Sequence, residues 1–313
     1  EKIHIYDENL IKKGILTRDG TIGKGQSLIG SAYCIMEDSK KNIWIGTKGK
    51  GVYKLKRKPN SNSFEIHHLF HLNEDIYSLS SDNIYSIFED RKGNIWVGTY
   101  GGGLNLIPEG NENSKIINTN NRLKSYPAKQ GAQVRIISSD KNGNLCIGTT
   151  FGFIMFKDRF DMPEHIKFHV YRRNFDSTSI GANDILDICT TRSGATYIAT
   201  FGGGISKIEK TDAQGFPVSF KTYNTINGLP SDIILSLLED LDGNLWIATE
   251  ENLTKFTPKN ETFENFSEIK RMMKKNSFSE SSRFRIDNGN MLFGFSHGIV
   301  AFNPLNISIN TFN

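Results

Sequence analysis

The 313 residues are 37% hydrophobic and 11% aromatic, which is enough apolar material to bury a core and too much for a disordered chain. The 38 basic and 34 acidic residues, a formal net charge of +4, are interspersed, so no basic stripe is offered to nucleic acid. No apolar run approaches the ~18–20 residues that span a membrane, and Glu1 to Asp7 lack the basic-then-apolar order of a signal peptide. The chain therefore reads as soluble and as a mature or excised piece, with any membrane attachment carried by segments missing from it.

In chain order, Lys2 to Tyr6 has the composition of a β-strand, and the stretch from Glu8 to Gly30 follows no clear template. From there a repeat takes over, with copies centred on 32–55, 83–106, 133–156, 183–208, 231–256 and 281–302. The second copy is the clearest. Asn83 to Asp90 is followed by Arg91-Lys92-Gly93-Asn94, then Ile95-Trp96-Val97-Gly98-Thr99, then Tyr100, Gly101-Gly102-Gly103 and Leu104-Asn105-Leu106. Trp44, Cys146, Tyr197, Trp246 and Leu292 take the place of Trp96, at successive intervals of 52, 50, 51, 49 and 46 residues.

Each copy predicts a small antiparallel sheet. Ile84, Ile87 and the neighbouring apolar residues form one strand, the Asp-x-x-Gly-Asn segment a turn whose side chains bond nearby backbone N–H groups, and Ile95 to Thr99 a strand rich in β-formers. The glycine run turns the chain into a third strand. Fourth strands are expected at Phe64 to His67, Lys167 to Tyr171, Phe220 to Tyr223 and Phe263 to Phe266. Four strands at this spacing are the signature of a propeller blade, and the large residue at the Trp96 position is the wedge between blades.

The fold class is therefore all-β, a β-propeller of four-stranded antiparallel blades forming one domain over residues 1–313. Six blades are favoured, with Lys2 to Tyr6 supplying the outer strand of the last blade and so removing an exposed edge. Seven is the alternative, with the missing parts outside this chain or in the stretch from Glu8 to Gly30. The fourth copy replaces the turn Asp by Thr191, and the sixth shortens its turn to Asp287-Asn288-Gly289-Asn290.

Enzymatic chemistry finds little support. Cys34, Cys146 and Cys189 each fall inside an apolar run and read as core residues. The seven histidines show no metal-ligand spacing, although His67-His68 and His71 come closest. Gly101-Gly102-Gly103 lacks the Lys and helix of a phosphate loop. A glycosidase needs paired carboxylates, and Glu250-Glu251, Asp187 and Asp232 are the nominees near channel loops. Turn-capping or solvated roles suit them better. No cofactor and no metal are expected.

A ligand is instead expected where function in β scaffolds concentrates, on the loops at one mouth of the channel. The second-to-third turns place Lys48, Tyr100, Phe151, Phe201, Glu250 and His297 there. Asn83, Arg135, Asp184, Asp232 and Arg283 stand where the chain enters the first strands. Aromatic faces suited to sugars alternate with polar groups that fix hydroxyls or carboxylates, and Tyr100, Phe151 and Phe201 are read as one arc of the rim.

The motif Glu-Asp-x-x-Gly-Asn-Ile/Leu-Trp-Ile/Val-Gly/Ala-Thr with its glycine run is seen at 37–51, 89–103 and 239–250, and more weakly at 139–152, 190–204 and 287–298. It resembles the two-component regulator propeller repeat of periplasmic sensor regions in hybrid two-component systems that control glycan utilisation. The resemblance implies a non-catalytic periplasmic sensor binding an oligosaccharide or other small ligand. It also implies self-association or a second propeller and a β-sandwich, and a histidine kinase elsewhere in the whole protein. Two alternatives remain beside it: a propeller lyase or other glycan-active enzyme, and a pure protein-interaction scaffold.

Overall fold

The computed structural model describes residues 4–6, 12–23, 30–61, 63–110, 115–266, 268–273 and 276–307. An N-terminal sheet consists of β1 (His4–Tyr6), β2 (Lys12–Leu16) and β3 (Ile22–Gly23). Blade one is β4 (Ser31–Glu37), β5 (Ile43–Lys48), β6 (Val52–Arg57) and β7 (Phe64–Leu69). Blade two is β8 (Ile84–Glu89), β9 (Ile95–Thr99) and β10 (Gly103–Ile107). Blade three is β11 (Val134–Ser139), β12 (Leu145–Thr149), β13 (Gly152–Phe156) and β14 (His169–Tyr171). Blade four is β15 (Ile185–Thr190), β16 (Thr196–Thr200), β17 (Ile205–Thr211) and β18 (Pro217–Tyr223). Blade five is β19 (Ser236–Glu239), β20 (Leu245–Ala248), β21 (Leu253–Thr257) and β22 (Thr262–Phe266). Blade six is β23 (Phe278–Arg285), β24 (Met291–Phe295) and β25 (Gly298–Phe302).

This is an all-β propeller of six repeat-bearing antiparallel blades, as the sequence predicts. The chain folds as two compact units, Glu1–Ile137 with Phe156–Phe168, and Ser138–Met155 with His169–Asn313. In each unit the first strands of neighbouring blades lie against each other: β4 against β8 in the first, β15 against β19 and β19 against β23 in the second.

The repeat motif is a set of hydrogen-bonding devices. The carboxylates of Asp38, Asp90 and Asp240 accept from the backbone N–H of Asn42, Asn94 and Asn244 at 2.7, 3.0 and 2.8 Å. They also accept from the indole Nε1–H of Trp44, Trp96 and Trp246 at 2.8, 2.9 and 2.9 Å. One side chain thus closes the turn and satisfies the buried tryptophan. The preceding Glu reaches back to the turn of the blade before: Glu89 accepts from the Ser39 N–H at 2.7 Å, and Glu239 from the Arg192 N–H at 3.0 Å. The Thr that ends the second strand donates its hydroxyl across the next turn, Thr99 to the Gly103 carbonyl and Thr200 to that of Gly204, both at 2.9 Å.

Two glycine positions have distinct causes. Gly98 lies where the next inner strand passes close by, and a Cβ there would sit 2.4 Å from Val134 Cγ1. In the glycine run the first and third N–H groups converge on one carbonyl of the following blade: Gly101 and Gly103 on Ala132 at 2.8 and 2.9 Å, Gly202 and Gly204 on Asp232 at 3.0 and 2.9 Å. Gly204 reaches that geometry at φ +71°, where a side chain would also strike the Tyr223 carbonyl.

The wedges are buried as expected, Trp44 at 2%, Trp96 at 0% and Trp246 at 1% exposure. Each of three wedges packs on a phenylalanine from the third strand of the following blade: Trp96 on Phe156, Tyr197 on Phe256 and Trp246 on Phe302, with ring centroids 5.1, 6.0 and 4.7 Å apart. Ile107 holds that place for Trp44. There a cleft of about 520 Å³ opens between blades one and two, lined by Asp38, Trp44, Lys54, His67, Glu89 and Ile107 among others.

Three expectations need correction or extension. His4–Tyr6 pairs with β2 and does not close blade six; Lys2 and Ile3 lie outside the described residues. β2 makes its own antiparallel partner of β3, satisfying the N-terminal run locally. Part of the stretch from Glu8 to Gly30 is thus a β-hairpin. Its turn repeats the bonding of the blade turns, Thr17 N–H to Thr21 O and Gly20 N–H to Thr17 O, as in Asp38–Asn42. Blade two lacks a fourth strand among the described residues. Ile117 makes one bridge to Leu106, because Asn118 and Asn121 commit their amides to the carbonyls of Ser78 and Ile76 and tie this stretch to a loop.

Burial pushes the Asp38 carboxyl up, but bonds from the Trp44 indole, Asn42 and the backbone outweigh it and hold the group below the ordinary carboxylate value. A depressed folded value contributes stability above the unfolded value, about pH 4, that is lost as pH falls through the folded one. Asp38→Asn removes that contribution. The acid side of its melting-temperature profile below about pH 4 is expected to be flatter than that of the wild type, measured by circular dichroism.

Candidate functional site

Tyr33, Tyr85, Arg135, Leu186, Leu235 and Ser281 each stand eleven residues before the wedge position of their blade. In blades one, two and four the pairing of first and second strands slips at this point, between Ala32 and Cys34, Ile84 and Ser86, and Ile185 and Asp187. A bulge of this kind leaves one residue unpaired and re-aims its side chain. It also lies at the blade end that carries the second-to-third turns.

In the first unit these positions build a row. The Tyr33 and Tyr85 rings have centroids 4.7 Å apart, and Tyr85 stacks on Tyr100 at 5.0 Å with 27° between planes. Lys48 Nζ lies 5.8 Å from the Tyr33 ring and the Arg135 guanidinium 5.9 Å from the Tyr100 ring. The order is cation, three phenols, cation. Tyr33 is 48% exposed, and Tyr85 and Tyr100 are half-buried. Burial and the neighbouring Tyr33 push the Tyr85 hydroxyl up to about 12, so it stays a neutral hydrogen-bonding group at physiological pH. Beside Tyr100, the Gly101–Gly103 turn borders a hollow of about 190 Å³ lined by Ser80, Thr119, Asn120 and Ala132 among others.

Of the ten predicted site residues, Lys48, Tyr100 and Arg135 thus come together. Tyr33 and Tyr85 were missed, although their shared offset from the wedge was a readable signal. Phe201 is 53% exposed, its N–H donating to the Asp184 carbonyl at 2.8 Å. Phe151 is 46% exposed and sits one residue further along the repeat than Tyr100 and Phe201, because the turn from Thr149 to Gly152 is one residue shorter than that from Thr99 to Gly103. Thr150 holds the equivalent of Tyr100. His297 is likewise one position on, with its Nδ1 2.9 Å from Asn276 Oδ1.

The nominated carboxylates serve local structure. Asp232 accepts from the Thr225 N–H at 2.7 Å and Glu251 pairs with Lys270, while the contact made by Glu250 is through its backbone carbonyl, which accepts from the Phe278 N–H. Asp187 is fully buried and held by Arg283 through two bonds, Nε to Oδ2 at 2.6 Å and Nη2 to Oδ1 at 2.7 Å, with the Leu237 N–H at 2.8 Å. Arg283 therefore departs from the expected rim position. Its register is that of the inner strand, and its guanidinium also donates to the Ile188 carbonyl. In the same unit Leu186 and Leu235 are buried and Ser281 bonds to both their carbonyls, so the positions equivalent to the tyrosines are packed shut. Burial pushes the thiols of Cys34 and Cys189 up to about 12 and about 11 and that of Cys146 well above the ordinary thiol value, and all three cysteines are free. Among the described residues no group of His, Cys, Asp and Glu could hold a metal ion.

The two-component regulator propeller family model matches residues 28–49, 78–101 and 228–251. These segments hold the turn and tryptophan of blades one, two and five. Those three repeats match the two-component regulator propeller model. Blades three, four and six carry diverged copies in the same register. Over 237 residues, 74% of this chain, the sequence is 24% identical to a protein named histidine kinase P4 of Formosa agariphila, of which it covers 16%. Among solved structures, it is similar to the extracellular domain of a protein described as a hybrid two-component system of B. thetaiotaomicron. The TM-score there is 0.57 at 18% identity, covering 99% of this chain and 48% of that one. It is also similar to virginiamycin B lyase of Staphylococcus aureus, with a TM-score of 0.64 at 13% identity, covering 96% and 93%. At these identities both structures establish the propeller fold. The chain spans about half of the extracellular domain it matches and a much smaller share of the kinase. No helix among the described residues is long and apolar enough to cross a membrane.

Proposed function

We propose that this chain is a ligand-sensing propeller of a hybrid two-component signalling protein. It lies in the periplasm, binds an oligosaccharide without turning it over, and passes the signal on by changing its packing against a second copy or a neighbouring domain. The observation that carries this reading is the row of Tyr33, Tyr85 and Tyr100 with a cation over each outer ring. Aromatic faces stack on sugar rings while phenol hydroxyls and charged groups fix orientation. The two-component regulator repeats and the likeness to the F. agariphila kinase support the signalling role. The engagement of Asp187 by Arg283, Asp232 by Thr225 and Glu251 by Lys270 supports binding over hydrolysis.

The lyase likeness makes an enzyme the second reading, and one experiment separates the two. The purified chain is heated with oligosaccharides from plant and algal polysaccharides, and each sugar is then recovered and weighed by mass spectrometry. A rise in melting temperature with the ligand recovered intact is the expected result, since a ligand that binds only the folded state stabilises it by mass action. Conversion of any of these oligosaccharides to product supports the lyase reading instead.

A further inference from the structure

The cleft between blades one and two shares no residue with the tyrosine row and has its own cause. Trp96, Tyr197 and Trp246 each meet a phenylalanine from the third strand of the following blade, with ring centroids 5.1, 6.0 and 4.7 Å apart. At Trp44 that place is held by Ile107, the last residue of β10, and about 520 Å³ of space opens beside it. Sites for small molecules span roughly 300–1,000 Å³, so the cleft is large enough for one.

A second difference between the blades sets the charge of the cleft. A lysine stands opposite the wedge on the third strand of blades one, four and five, as Lys54, Lys207 and Lys255. Lys255 pairs at 2.9 Å with Glu264, its cross-strand neighbour on β22, and Lys207 pairs with Glu209 at 3.3 Å. The neighbour of Lys54 on β7 is His67, whose Nε2 lies 3.2 Å from Glu65. Lys54 instead holds its ammonium 5.0 Å from the centroid of the Trp44 ring. The other carboxylates on the wall are engaged: Asp38 by Trp44, Glu89 by Ser39 and Glu109 by Lys40.

The cleft thus joins an apolar floor of Trp44 and Ile107 to an ammonium that rests on a ring. A flat ring entering it takes the contact on Trp44 that phenylalanine makes at the other wedges, and lifts Lys54 from the indole. A charge-assisted hydrogen bond is worth more than an exposed cation–π contact, so a carboxylate on the incoming molecule recaptures the ammonium. We infer that the cleft is a second binding site, for a small aromatic carboxylate whose ring packs on Trp44 and Ile107 and whose acid group meets Lys54. This site stands apart from the row and from whatever the row binds.

The test is isothermal titration of the whole chain with 3-phenylpropanoate and ferulate, and with 3-phenylpropanamide and hexanoate as probes lacking the charge or the ring. Wild type, Ile107→Phe, Lys54→Met and Tyr85→Ala are compared, with far-ultraviolet circular dichroism confirming the fold. The expected result is binding of an aromatic acid about tenfold or more tighter than either control probe. Ile107→Phe, which rebuilds the ring contact within the chain and fills the cleft, should abolish it and raise the melting temperature of the free protein. Lys54→Met should weaken the acid by about tenfold or more, a readout that does not depend on how well the larger ring packs at position 107. Tyr85→Ala should bind as the wild type does. No binding of either aromatic acid to the folded wild type overturns the inference. So does binding that survives in both Ile107→Phe and Lys54→Met, or that is lost in Tyr85→Ala.

Discussion

Trp96→Ala is expected to lower the free energy of unfolding by about 3–5 kcal/mol. The indole is fully buried, packs edge-on against Phe156 and Phe160 at 5.1 and 6.0 Å, and donates to Asp90. Truncation leaves a cavity between blades that phenylalanine rings cannot collapse into, and it strips a partner from a buried carboxylate. Trp44→Ala is the internal comparison. Ile107 stands opposite Trp44 and the cleft beside it is already open, so less packing is lost and the cost is expected to be smaller. Urea denaturation followed by circular dichroism reads both. Equal losses for the two variants, or a loss under about 1 kcal/mol at Trp96, contradict the wedge role, since buried large-to-small changes of this kind cost several times that.

A loss of similar size, about 3–5 kcal/mol, is expected for Arg283→Ala, because it leaves the fully buried Asp187 carboxylate without its cation. Burial pushes the Asp187 carboxyl up, and Arg283 and the Leu237 N–H pull it back. Without the arginine the folded value rises further above the unfolded one. The folded state then binds more protons than the unfolded state between those two values, so the deficit grows as pH rises through that window. Arg283→Ala should accordingly be closer to wild type near pH 4 than near pH 7. Asp187→Leu/Arg283→Met, which removes both charges and keeps volume, should recover most of the stability. Melting curves at the two pH values report both effects; a double variant no better than the single one contradicts a charge-pair origin.

The blades were legible in the sequence because each motif residue does a local job that the repeat spells out: Asp closes a turn and holds the tryptophan, Thr spans the next turn, and glycine gives the φ that aims two N–H groups at one carbonyl. What was illegible depended on partners distant in sequence. Nothing in Lys2 to Tyr6 distinguishes pairing with β2 from pairing with β25, since a strand-like composition names no partner. Thr17-Arg18-Asp19-Gly20-Thr21 hides a blade-type turn behind a threonine, as Thr191 does in blade four. At the site, Tyr100, Lys48 and Arg135 were readable as residues on turns and strand starts, but Tyr33 and Tyr85 occupy bulges inside strands, where alternation predicts an ordinary face of the sheet. Arg283 misled for the opposite reason. Its strand position is polar by pattern, and its partner lies two blades away in sequence.

The most direct test of the central claim is titration calorimetry on a folded Tyr85→Ala/Tyr100→Ala variant, using the oligosaccharide that raises the wild-type melting temperature. Each stacked ring contributes roughly 1 kcal/mol beyond the area it buries, so the account predicts affinity at least tenfold weaker with the melting temperature of the free protein little changed. Unchanged affinity in that variant contradicts a ligand site at the tyrosine row.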